Sequence, residues 1–141
     1  MPLSDYLERL KVSELNLLIF SEGEVIFSSG GKGVTPLIEA IDTLGRERLR
    51  GTVTADRIVG RAAVLLNIYL GASEVHAMLI TTGARRELEE RGVSYTFLEE
   101  TEAIKMRDGV IYCPFESMVQ GIEDPGEAYR RIKEKLDGFE A

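Results

Sequence analysis

Cys113-Pro114-Phe115-Glu116 has the grammar of a helix start, with proline at the first helical position and cysteine at the N-cap. A thiol placed there faces unpaired backbone amides and the positive end of the helix dipole, which favours thiolate. Glu116 falls three residues on, where a capping-box acid sits. Its charge would partly oppose thiolate formation or, if protonated or facing a substrate, it would move protons. Cys113 as nucleophile with Glu116 as acid/base is one reading, and a plain helix cap beside a buried thiol is the other. The one imidazole, His76, lies inside the apolar run Val75–Ile80 and reads as structural or half-buried, so a Cys/His pair is weakly supported.

A second group of residues could hold an anion. Thr54-Ala55-Asp56-Arg57-Ile58-Val59-Gly60-Arg61 reads as the end of a strand entering a helix, the place where open α/β sheets bind ligands. Asp56 would cap that helix or anchor a polar ligand. Arg57 in its first turn opposes the dipole, and Arg61 lies one turn on along the same face. An anion, or an acid such as Glu39 or Glu116, would relieve the conflict. Gly30-Gly31-Lys32-Gly33-Val34-Thr35 lacks the spacing of a phosphate-binding loop, since glycine follows Lys32. Its glycines allow a tight turn, and amides around Gly33 and Thr35 could line a pocket. Arg107, in Arg107-Asp108-Gly109, is either a turn residue or one that reaches Cys113 or a ligand.

These residues need elements to place them. Ser4 can cap a helical arm over about residues 1–12 with Leu3, Leu7 and Leu10 on one face. Leu15–Phe20 and Glu24–Phe27 read as a hairpin around Ser21-Glu22-Gly23. Thr35 then caps a helix with Pro36 at its first position and Leu37, Ile38, Ile41 and Leu44 as its stripe, followed by a charged link from Arg46 to Arg50. Strand 51–55, an apolar helix Ile58–Leu70, strand 75–80, helix 84–90 and strand 93–98 follow in turn. That alternation predicts an α/β domain with right-handed crossovers. Asp-Gly at 108–109 predicts a hairpin between 104–106 and 110–112. Asp124-Pro125-Gly126-Glu127 starts a last helix, over about 125–138, with Ala128, Tyr129, Ile132 and Leu136 on one face.

With 141 residues the chain suits a single domain spanning 1–141, long enough for a hydrophobic core of its own. Seventeen basic and twenty-four acidic residues give a net charge of −7, without the footprint of a nucleic-acid or anionic-membrane binder. One cysteine and one histidine exclude an internal disulfide and a Cys/His zinc site within one chain, and no cofactor is implied. The first residues, MPLSDYLERL, read as neither signal nor transit peptide, and the expected compartment is the cytoplasm.

Gly33-Val34-Thr35-Pro36-Leu37, Ala55-Asp56-Arg57-Ile58-Val59-Gly60-Arg61-Ala62-Ala63, Arg107-Asp108-Gly109 and Cys113-Pro114-Phe115-Glu116, in that order, resemble a family of small prokaryotic proteins of unknown function. The resemblance runs from about Leu15 to Tyr129, and the family is placed in the cytidine deaminase-like superfamily. It implies a three-layer α/β/α domain with a mixed sheet of about five strands and an antiparallel N-terminal hairpin. Zinc deaminases hold their metal with His-x-Glu and Pro-Cys-x-x-Cys at two helix starts. The corresponding starts here, Thr35-Pro36 and Asp56–Gly60, carry neither thiolate nor imidazole, and Glu39 alone does not deaminate cytosine, so no metal is expected.

The resemblance leaves a crevice at which Gly33, Thr35, Asp56, Arg57, Gly60, Arg61 and Arg107 would bind a small anionic or nucleotide-like molecule. One alternative is a thiol enzyme or sulfur carrier built on Cys113 and Glu116, since a sulfur-transfer accessory family for formate dehydrogenase shares the superfamily. The other is a non-catalytic interaction protein. Homo-oligomers are common in the superfamily, and the apolar helix after Asp56 is a candidate subunit contact.

Overall fold

In a computed structural model of the protein, residues 3–102 and 114–140 are described. Helix α1 (Asp5–Ser13) starts where Ser4 accepts the Leu7 amide at 3.2 Å and buries Leu7 and Leu10. Strands β1 (Leu17–Ser21) and β2 (Glu24–Ser29) form the expected hairpin. Its turn pair Glu22-Gly23 has φ of 50° and 83°, the two positive values that match the twist of tightly linked strands. Then come α2 (Thr35–Leu44), α3 (Arg46–Leu49), β3 (Val53–Val59), α4 (Arg61–Leu70), β4 (Glu74–Thr81), α5 (Thr82–Glu90) and β5 (Ser94–Thr101). After residues 103–113, α6 (Pro114–Val119) and α7 (Pro125–Glu140) complete the chain.

The five strands form one mixed sheet in the order β2-β1-β3-β4-β5. β1 is antiparallel to both neighbours, while β3, β4 and β5 run parallel through the α4 and α5 crossovers. Alternation in β1 sends Leu17 and Ile19 to one face and Leu18 and Phe20 to the other. The first face carries the main core, shared by α2, α4, α5, α6 and α7, and the second is covered by α1. In β4 the main core takes Val75, Ala77 and then Ile80, so the pleat changes phase in its second half.

Helix α4 is buried nearly all round, and its Leu65, Leu66 and Leu70 are fully enclosed. Each such side chain stabilises the fold by about 1.5–3 kcal/mol. The chain's own α2, α5, α6 and α7 pack around α4, so among the described residues most of the helix expected as a subunit contact is covered within the chain. α7 holds to this assembly by Ala128 and Ile132 in the core, by Tyr129 stacked on Tyr69 at 4.7 Å, and by Tyr129 and Lys133 bonding Asp42 of α2.

Several expected boundaries move. Thr35 is the first residue of α2 rather than its cap, which is Val34, and the charged link 46–50 folds as α3 around buried Leu49. The largest change is at Asp56, which lies inside β3 opposite Leu17 on β1 and Ala77 on β4, so Asp56 and Arg57 belong to a strand and not to a helix start. Pairing on both sides outweighs the capping preference of aspartate. The helix begins five residues later, with Gly60 as its N-cap.

Candidate functional site

The helices α2 and α4 both start from the end of the sheet where β2 and β3 finish and β1 begins. Asn16, just before β1, ties that end together. Its side-chain amide donates to the Gly30 and Gly31 carbonyls at 3.1 and 2.9 Å, while its own carbonyl accepts the Arg57 amide at 3.1 Å. The glycine-rich loop is thus anchored beside the second half of β3. Ser29 Oγ accepts the Gly31 amide at 3.0 Å, and a side chain at Gly31 would press on Pro36 at 3.3 Å, so the loop lies close over the start of α2. Gly33, at φ 64°, needs the freedom of glycine to turn into the helix. Among the described residues no side chain caps α2, and its first turn carries no acid.

Asp56, midway along β3 and opposite the first residue of β1, is 6% exposed. Burial pushes its carboxyl up from 3.8 to about 7, against the pull of the Ile58 and Arg57 amides that favour the charged form. Among the described residues no cation is paired with it. Arg57 turns its Nε to the Leu15 carbonyl at 2.7 Å, so it braces β3 against the segment before β1.

Arg61 and Glu116 meet from the other side. Glu116 on α6 accepts the Arg61 amide at 3.1 Å and the Ala62 amide at 3.0 Å, one carboxylate oxygen to each. It is therefore the N-terminal cap of α4, supplied from another helix. Burial nevertheless pushes its carboxyl up, the amides of Ala62 and Arg61 only partly compensating. A Cβ at Gly60 would stand 2.8 Å from the Glu116 carboxyl carbon, so glycine is what lets the cap close. The Arg61 guanidinium donates to Glu87 Oε1 at 3.0 Å, to the Ile122 carbonyl at 2.8 Å and to the Val119 carbonyl. Glu87 is buried on α5 and is also approached by Arg91 at 3.5 Å.

The arrangement corrects two expectations. Arg57 and Arg61 are not one helical turn apart, and the charge of Arg61 is spent on clamping α5 and the α6–α7 connection to α4. Glu116 touches the helix start it was expected to relieve, but through backbone amides; Glu39 is exposed on α2. The structure brings Gly33, Thr35, Asp56, Arg57 and Gly60 to one end of the sheet, with Arg61 and Glu116 at its α4 side. Cys113 and Arg107, like the hairpin expected over 104–112, lie outside the described residues. Asn16 and Glu87 were missed: an asparagine between two leucines is a weak signal, and Glu87 looks like any surface acid of a helix. Among the described residues no cluster of three His, Cys, Asp or Glu side chains could hold a metal, and no helix is long and apolar enough to cross a membrane.

This mixed α/β chain belongs to a family described as a domain of unknown function, DUF1893 (TM1506), whose model matches residues 6–136. A solved member, the DUF1893 protein TM1506 of Thermotoga maritima, is 29% identical and superposes with a TM-score of 0.81 over 95% of this chain and 92% of its own. No curated protein matches.

Proposed function

We propose that this DUF1893 protein binds a small anionic, nucleotide-like molecule at the carboxyl end of β3. The observation that carries the reading is Asp56, a buried carboxyl poised near neutrality in the strand that leads into α4, at the end of the sheet from which α2 also starts. Its role is to anchor a hydroxyl or amino group of the ligand. The anionic end lies against the start of α2, where the Gly33–Thr35 backbone, the Thr35 hydroxyl and exposed Lys32 offer donors and positive charge. Glu116 already shows a carboxylate held by the first amides of α4, the same chemistry at the neighbouring helix. Arg61 serves this site as a clamp, holding α4 and α6 in place. The proposal includes the zinc-free, cytidine deaminase-like placement that the sequence resemblance implies, supported by a hairpin followed by a β-α-β-α-β run.

Calorimetric titration with nucleoside mono- and diphosphates, with inorganic phosphate as the minimal probe, tests the reading. Binding that weakens at least tenfold in Thr35→Ala and in Asp56→Asn is expected. No heat at millimolar ligand, or affinities unchanged in both variants, would overturn it.

A further inference from the structure

On the α1 face of the sheet, away from Asp56, stands a second group of chemically capable side chains. His76 of β4 is 5% exposed, and both of its ring nitrogens are engaged. Nε2 lies 2.9 Å from Glu74 Oε2, so with a neutral ring it carries the proton and donates to the carboxylate. That leaves the lone pair of Nδ1 pointing at two hydroxyls, Thr96 Oγ1 of β5 at 2.5 Å and Ser4 Oγ at 3.2 Å. Tyr6, with its ring 4.8 Å from the imidazole, fixes the ring plane. Ser4 and Thr96 open onto a groove of about 600 Å³ whose other walls are Leu3, Leu7, Tyr95, Phe97 and Leu98. Phe97 and Leu98 are respectively 38% and 40% exposed.

Carboxylate, imidazole and hydroxyl in sequence, at the wall of an apolar groove, is the arrangement that activates an oxygen nucleophile. We propose that Ser4, His76 and Glu74 form a hydrolytic site for small esters with an apolar acyl group. Ser4 is the nucleophile because it is a primary alcohol at the N-cap of α1. The Leu7 amide donates to its Oγ at 3.2 Å, and the first-turn amides of Asp5 and Tyr6, which have no carbonyl partner within the helix, are the donors assigned to a developing oxyanion. Thr96 holds the Nδ1 lone pair at rest, and the Ser4 contact shortens as the acyl group seats in the groove.

In the first step Ser4 Oγ bonds to the ester carbonyl carbon while its proton passes to His76 Nδ1. The carbon–oxygen bond to the alcohol breaks, the alcohol leaves with that proton, and acyl-Ser4 remains. Water then adds to the acyl carbon, giving its proton to Nδ1. The bond to Ser4 breaks, Ser4 recovers the proton, and a carboxylic acid departs. Glu74 is a positioning residue, holding the tautomer that leaves Nδ1 able to accept.

The test is to treat the full chain with a fluorophosphonate, map the adduct by mass spectrometry, and follow hydrolysis of p-nitrophenyl butyrate. The expected adduct is on Ser4, with hydrolysis lowered about 100-fold or more in His76→Ala and abolished in Ser4→Ala. Glu74→Gln is expected to lower kcat with KM unchanged. Leu98→Trp, which fills the groove, is expected to raise KM and slow labelling while circular dichroism stays native. No adduct, an adduct on Thr96 in place of Ser4, or hydrolysis by Ser4→Ala equal to that of the parent chain would overturn the proposal.

Discussion

Replacing Asp56 by asparagine removes a charge from the interior at nearly constant shape. The folded protein holds the Asp56 proton up to about pH 7, whereas the unfolded chain releases it near 3.8. Between those values the native state binds more protons than the unfolded one, so stability falls as pH rises through that window and levels off above it. At 1.36 kcal/mol for each pH unit, the interval from 3.8 to about 7 gives about 4 kcal/mol lost by pH 8. Asparagine keeps an acceptor for the neighbouring amides and has no charge to desolvate. The variant is therefore expected to match the parent near pH 4 and to exceed it by about 4 kcal/mol at pH 8, roughly 10 °C or more in Tm. Urea unfolding of both chains at half-unit steps from pH 4 to 8 measures this. The Glu116 carboxyl, raised in the same direction, acts in both chains and cancels in the difference. A gap between the two curves that stays constant across the series would refute the reasoning, because it would mean that Asp56 titrates alike in the folded and unfolded chains.

Gly60→Ala forces the Glu116 carboxylate away from α4 and is expected to cost about 1–2 kcal/mol, the loss of a helix cap, in denaturant unfolding. Arg61→Ala leaves Glu87 buried with, among the described residues, the more distant Arg91 as its one cation, and frees the Val119 and Ile122 carbonyls; a loss of about 3–5 kcal/mol is expected, with hydrogen exchange rising first in α6. Thr54→Val strands Asn67 Oδ1, which accepts the Thr54 hydroxyl at 2.7 Å in the core, and is expected to lower stability by about 1–3 kcal/mol, read as a fall in Tm.

Signals that act over a few residues were readable in the sequence. Ser4 and the leucines behind it, the Glu22-Gly23 turn and the Asp124-Pro125 start all operate within one helical turn or one hairpin, and each element stands where expected. Asp56 misled because aspartate before an aliphatic run is a good helix start locally. Only the distant partners β1 and β4 turn 53–59 into a central strand. The site followed the same rule. Element order set Gly33 and Thr35 before one helix and Gly60 before the next, while Asp56 and Arg57 were expected at a helix start and lie in β3. What Arg61 and Glu116 do at the start of α4 was not legible, since Arg61 finds Glu87 26 residues away and Glu116 reaches back 55 residues to cap a helix other than its own. Periodicity carries no information at those separations.

The packing of α1 on β3 and β4 sets an order of events during synthesis. α1 is made before the strands it packs on, and the β1–β2 hairpin can close soon after, but the surface that covers Leu7 and Leu10 is complete only once β4 has been translated. At about 5–20 residues per second, the roughly 70 residues in between take about 4–14 s. Through that interval α1 carries a bare leucine face, open to chaperones or to premature pairing with another nascent chain.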